Sequence, residues 1–196
     1  MNLMVKKTQI EMIADRGYDI TKEEWLLDED NDKKYMKKFK QMTLNHRYKK
    51  QDNSIYVMYV EEDDELILEM RKFKTKMENT TTGIIIANTA QLKKLKKNIY
   101  DEYMDPLKQI QLFDYEELAF NLTKHIFSPT YEAIDKALII PSIVHASQLP
   151  ILRRDDPAVK YYGWQPGQVI KIIDNHFYTD MLTDYDISYC IVSSKL

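Results

Sequence analysis

Four histidines, one cysteine and a short run of acids are the side chains whose chemistry could reach beyond packing. His46, His125, His145 and His176 lie far apart. None has a histidine or cysteine three or four residues away, the spacing by which a helix offers two ligands to one zinc ion. His125 therefore reads as a structural hydrogen-bonding residue. Cys190 stands in an alternating run with no second cysteine, and no base or orienting group is placed to make it a nucleophile. The best case for catalysis is Asp63, Asp64, Glu65 and Glu69 beside Arg71, because clustered carboxylates can hold magnesium for phosphodiester cleavage. Yet Leu66, Met70, Phe73 and Met77 recur at helical spacing. That spacing puts Glu69 and Arg71 on the wet side of a helix, where pairing across one turn is routine. None of the four glycines has the spacing of a phosphate-binding loop.

The elements around these residues alternate. A first helix is predicted from Leu3 to Arg16, and a second, charged segment from Asp28 to Lys40 carries Tyr35, Met36 and Phe39 on its apolar side. Strands are predicted at Ser54–Val60, Gly83–Ala87 and Gln109–Phe113. Helical stripes fall between them at Leu66–Met77 and at Leu92, Leu95, Ile99 and Tyr103. Strands alternating with helices imply an α/β N-terminal domain. Pro129 interrupts the pattern, so the boundary is expected near Lys124 to Thr130, giving domains 1–125 and 126–196.

The densest local signals lie between Gln148 and Ile172. Asp156 is a good N-cap, Pro157 suits the first helical position, and Gly163 suits a left-handed residue closing about two turns of helix. Gln165-Pro166-Gly167-Gln168 has proline and glycine where a type II turn needs them. Val169–Ile173 follows as a β-branched strand. A second strand, Tyr185–Val192, should pair with it. Alternation sets Tyr185, Ile187, Tyr189 and Ile191 on one face, with Asp186, Ser188 and Cys190 on the other.

These residues resemble the common subunit five of eukaryotic RNA polymerases I, II and III, a family that includes a shorter archaeal counterpart. Gln148, Leu149, Pro150, Asp156, Pro157, Tyr161, Gly163, Gly167, Val169, Lys171, Ile172, Tyr185 and Tyr189 fall on that family's pattern in order. Asp15-Arg-Gly-Tyr-Asp-Ile-Thr-Lys-Glu-Glu24 resembles its N-terminal motif, which the archaeal counterpart lacks. There Gly17 is expected to end the first helix, and Thr21 with Glu24 to form a capping box. Thr82–Ala87 is similar to its central strand, and Asn121-Leu-Thr-Lys-His125 before Pro129 to its linker.

The resemblance implies an α/β jaw domain similar in outline to a restriction-endonuclease fold, followed by a small α+β assembly module with a mixed sheet. It implies an accessory subunit, not an enzyme in its own right, with no cofactor. The expected partners are the largest subunit, other polymerase subunits, and downstream DNA within the complex; neither a membrane nor a second copy is expected. Interface candidates are the motif residues with Tyr162 and Trp164 as aromatic anchors. Tyr161 has the alternative role of filling the module's own core. Thr89 and the lysines Lys93, Lys94, Lys96 and Lys97 are DNA-proximal candidates, since lysines on one helix suit phosphate contact as well as plain solvation. The family's Thr-Pro-Ser-Ala loop here reads Thr89-Ala-Gln-Leu92.

Other departures fall mainly in the assembly module. Tyr131 replaces a histidine, the helix between Tyr131 and Ser147 is short, Asp174–Asp184 is a longer acidic insertion, and Cys190 replaces an arginine. With the enrichment in Lys, Asn, Ile and Tyr, they point to a divergent polymerase such as that of a large DNA virus. The expected location is the nucleus for a cellular enzyme and the virion or viral factory for a viral one. Alternative functions are a stand-alone magnesium-dependent nuclease and an adaptor for a transcription regulator.

Composition sets outer limits. The chain has 196 residues, 44% of them hydrophobic, enough to build the cores of two modest domains. A net charge of −3 makes the whole chain a poor nucleic-acid binder by bulk electrostatics, so any DNA contact must be local. One cysteine allows no internal disulfide, and no apolar run approaches membrane-spanning length.

Overall fold

A computed structural model of the chain describes residues 3–27, 39, 42, 44–61, 66–78, 80, 82–98, 109–135, 149–175 and 185–193. The fold divides into two units, Met1–Phe120 and Asn121–Leu196. The charged segment Asp28–Lys40 lies outside the described residues apart from Phe39. So do Asp63, Asp64, Glu65, Ile99, Tyr103, His145, Gln148 and His176, and most of the acidic insertion.

The first unit opens with α1 (Leu3–Asp15). Its end is fixed by Gly17 at φ +80, with the Gly17 and Tyr18 amides donating to the carbonyls of Ala14 at 2.7 Å and Ile13 at 3.1 Å. Both last-turn carbonyls are thereby satisfied where a side chain at Gly17 would be strained. The expected capping box does not form. The Thr21 amide and hydroxyl both bond Asp19 Oδ1, and a one-turn 3-10 helix, Glu24–Leu26, begins without a side-chain cap. An Asx turn two residues earlier has claimed the threonine.

Four strands follow: β1 (His46–Lys50), β2 (Asn53–Tyr59), β3 (Thr82–Ala87) and β4 (Gln109–Asp114), in spatial order β1-β2-β3-β4. β1 and β2 form an antiparallel hairpin around Gln51 and Asp52, while β2, β3 and β4 run parallel. The parallel strands are linked through α2 (Leu66–Lys76) and α3 (Thr89–Asn98), as parallel pairing requires. Both helices cover one face of the sheet. Met70 and Phe73 of α2, Met77 just after it, and Leu92 and Leu95 of α3 pack with Tyr56, Met58, Ile85 and Ala87. Gly83 permits this approach, since a Cβ there would lie 2.5 Å from Phe73 Cζ and 2.9 Å from Met77 Sδ. On the opposite face, the hydroxyls of Tyr48 and Tyr59 meet Gln9 of α1.

The second unit is a sheet in the order β5-β7-β8-β6, from β5 (Thr130–Ile134), β6 (Ile151–Leu152), β7 (Val169–Asn175) and β8 (Tyr185–Val192). β7 pairs antiparallel with β5 and β8, and β6 pairs parallel with β8. The sheet is therefore mixed. A six-residue helix, α4 (Pro157–Tyr162), packs Val159 onto Ile170 and Val192, with Tyr131, Leu152, Trp164 and Ile172 around them.

One feature differs from what the sequence led us to expect. Tyr131–Ile134, at the start of the stretch where the sequence placed a short helix, lies in strand β5. The second unit begins at Asn121, whose side-chain amide donates to the Tyr161 hydroxyl at 2.9 Å. The apolar stripe of β8 does not face α4: Ile187 and Tyr189 are 45% and 39% exposed, while Val192 on the other face is buried. Register accounts for this, since Ile187 and Tyr189 lie opposite Ile173 and Lys171, away from the Ile170 that α4 covers.

Candidate functional site

The motif around α4 is built largely to hold itself. Asp156 Oδ1 accepts from the amides of Ala158 at 2.8 Å and Val159 at 3.4 Å, and Pro157 fills the first turn. Gly163, at φ +70, donates its amide to Val159 O at 3.0 Å. Gly167, at φ +84, sits in the turn closed by the Gln168 amide on Gln165 O, and donates to Val192 O at 2.9 Å. These are the geometries that the spacing of Asp, Pro and Gly foretold.

The predicted interface residues divide by exposure. Leu149, Tyr161 and Val169 are buried, so they support the module from within. Pro150 is exposed, and its carbonyl accepts from the Ile191 amide at 2.9 Å, which helps hold β6 on β8. Tyr162 and Trp164 stack with ring centres 4.6 Å apart and planes 14° from parallel, and Tyr131 approaches both at 6.1 and 5.9 Å. This half-buried aromatic group is where the motif meets solvent. Burial and the nearby Asp156 raise the Tyr131 pKa, so its hydroxyl stays protonated and available as a donor. Lys171 reaches Glu132 Oε2 at 3.5 Å across the β5–β7 pair.

A second surface of the module went unnoticed in the sequence. In the 3-10 turn Leu122–Lys124 and the residues after it, polar groups satisfy the backbone. Asn121 Oδ1 accepts from Thr123, His125 Nδ1 accepts from the Phe127 amide at 3.2 Å, and Ser128 Oγ donates to Leu122 O. Ile126 and Phe127 are left 65% and 55% exposed, with Leu122 beside them in sequence at 37%. Three large apolar side chains within six residues were visible in the sequence. Their exposure was not, because it follows from the turn's hydrogen bonds.

In the first unit, Asn88 caps α3 by accepting from the Gln91 amide at 2.8 Å, so Thr89–Leu92 is the helix's first turn, not a loop. Thr89 donates its hydroxyl to Asp114, while Lys93 and Lys94 are exposed. Lys96 and Lys97 lie in the same helix, but their side chains are outside the described residues. Of the acidic group, Glu69 pairs with Lys72 one turn on, and its side chain is only 12% exposed, less wet than its helical position suggested. Among the described residues, no three carboxylate, histidine or cysteine side chains converge as metal ligands.

The two units correspond to two family models. The model described as RNA polymerase Rpb5, N-terminal domain, matches residues 4–77, and that for the Rpb5 C-terminal domain matches residues 120–187. The chain belongs to the Rpb5 family. It is 24% identical over 205 residues to the Arabidopsis thaliana DNA-directed RNA polymerases IV and V subunit 5B, covering 97% of this chain and 88% of that one. It is 28% identical over 185 residues to the Caenorhabditis briggsae DNA-directed RNA polymerases I, II, and III subunit RPABC1, covering 86% of each. To the Dictyostelium discoideum subunit rpabc1 it is 26% identical over 179 residues, covering 87% of this chain and 88% of that one. The α4 motif falls inside the Rpb5 C-terminal match. Lys93 and Lys94 fall between the two matched stretches.

Proposed function

We propose that this Rpb5-family chain is a non-catalytic structural subunit of a multisubunit DNA-dependent RNA polymerase. The observation that carries the reading is the joint match of both Rpb5 domain models, in order, to the two units of one chain. The second unit is the assembly module that docks on the largest subunit. The apolar surface at Ile126 and Phe127 and the Tyr131–Tyr162–Trp164 group support this role, because exposed apolar patches and aromatic anchors are features of protein interfaces. The first unit, a jaw resembling a restriction-endonuclease fold in outline, lies near downstream DNA and turns Lys93 and Lys94 toward phosphates. Nucleotidyl transfer belongs to the large subunits. The chain works in the nucleus of a cell or, for a large DNA virus, in the virion or viral factory.

Co-expression with the largest polymerase subunit tests the docking. The wild-type chain should co-elute with it, and Ile126→Asp/Phe127→Asp should abolish co-elution while leaving the chain's own melting temperature within a few degrees. Co-elution undiminished by both substitutions would remove that surface from the interface. A purified chain that cut DNA with magnesium would instead favour the nuclease alternative.

A further inference from the structure

The outer edge of β1 holds a cleft that neither the docking role nor the lysine helix uses. Its volume is about 160 Å³, and its walls include Asp19, Lys22, Arg47 and Lys49, with Glu23 and Tyr48 deeper in. Among the described residues, β1 pairs only with β2, and no strand pairs with its other edge. The pairing fixes what that edge offers. Lys50 and Asn53 flank a two-residue turn, so Lys50, Tyr48 and His46 exchange hydrogen bonds with β2, while Arg47 and Lys49 direct their N–H and C=O groups outward. The Asp19 amide already donates to Lys49 O at 2.8 Å, which confirms the direction. The outward N–H and C=O of Arg47 and the N–H of Lys49 lie next along the edge.

The charges at the cleft are unequal. Glu23 is tied to buried Lys6 at 3.1 Å and to the Tyr48 hydroxyl, and Asp19 accepts from Thr21. At the cleft, Lys22, Arg47 and Lys49 stand against Asp19 and Glu23, and Glu23 is already paired with Lys6 behind it. The Arg47 guanidinium bonds Lys76 O but keeps its charge. The volume is below the ~300 Å³ at which cofactor and drug-sized pockets begin. It suits a single side chain. A phosphodiester can only accept hydrogen bonds, whereas the Arg47 N–H and C=O together match a partner that both donates and accepts. A peptide backbone supplies that match.

We propose that the β1 edge binds an extended acidic segment of a partner protein, which pairs its backbone with Arg47 and places a carboxylate side chain in the cleft beside Lys22 and Lys49. This holds whether or not the chain assembles into a polymerase. The probe is a fluorescent ten-residue peptide alternating glutamate and valine, titrated into the full chain by anisotropy, with amide spectra recorded in parallel. Binding should shift the Arg47 and Lys49 amides and protect them from exchange. Lys22→Glu/Lys49→Glu should weaken it at least tenfold. Arg47→Pro, which removes an outward N–H that an edge strand can spare, should weaken it several-fold more than Arg47→Ala, with circular dichroism unchanged in both. No binding, equal binding of a lysine–valine peptide, or displacement by duplex DNA with the same amides shifted would each overturn the proposal.

Discussion

Lys6 is wholly enclosed, with its ammonium 3.1 Å from Glu23, 2.8 Å from Gln9 Oε1, 3.2 Å from the Tyr48 hydroxyl and 3.3 Å from Leu44 O. Burial pulls its pKa down while Glu23 pulls it back up, so the ion pair is held against desolvation. Removing one partner strands the other. Lys6→Met is expected to cost about 3–5 kcal/mol in denaturant unfolding, whereas Lys6→Met/Glu23→Gln should recover most of that loss. If the single and double variants were equally unstable, the pair would not be the cause. His46 offers a second test, since burial is the main reason its pKa lies below the ordinary 6.5. The unfolded chain then takes up the proton first as pH falls, so stability should drop from about pH 6.5 downward. His46→Gln should flatten that slope between about pH 7 and 5, and an unchanged slope would assign the titration elsewhere. The sequence disclosed Asp156, Gly163 and Gly167, because each occupies a backbone position that few residues tolerate. It concealed Lys6, since a lysine on an amphipathic helix counts as surface until the tyrosines of another element enclose it.

At the scale of elements, α4 is too short to stand on propensity, and its caps carry it. Asp156→Ala should cost about 1 kcal/mol of the second unit's stability, read as a lowered denaturant midpoint, while Asp156→Asn should lose much less. A helix indifferent to both would owe its form to packing alone. α3 can be tested by salt. In a polymerase–DNA complex, Lys93→Gln/Lys94→Gln should reduce the slope of log affinity against log salt by about 2 if both lysines meet phosphates. An unchanged slope would leave them as a solvated face. The long elements were legible because apolar periodicity marks them over ten or more residues. β1, β5 and β6 were not: His46–Lys50 is mostly charged, Thr130–Ile134 has a glutamate at its centre, and Ile151–Leu152 is only two residues long. Each is defined by its partner strand, which a sequence read locally does not contain.

For the whole molecule, the order of elements pointed to two units because the alternation of strands and helices is interrupted at Pro129. The second unit begins at Asn121, whose side chain donates to the Tyr161 hydroxyl. The candidate interface was only half legible, since the motif residues mostly brace the module while exposed Ile126 and Phe127 carry no motif. The central claim is membership of a polymerase assembly. It is tested most directly by tagging the chain at Met1, purifying it from its native source at moderate salt, and measuring the stoichiometry of what accompanies it by mass spectrometry. The account predicts two very large polymerase subunits at close to one copy each per chain. Recovery of the chain alone, or with an unrelated regulator in their place, would contradict it.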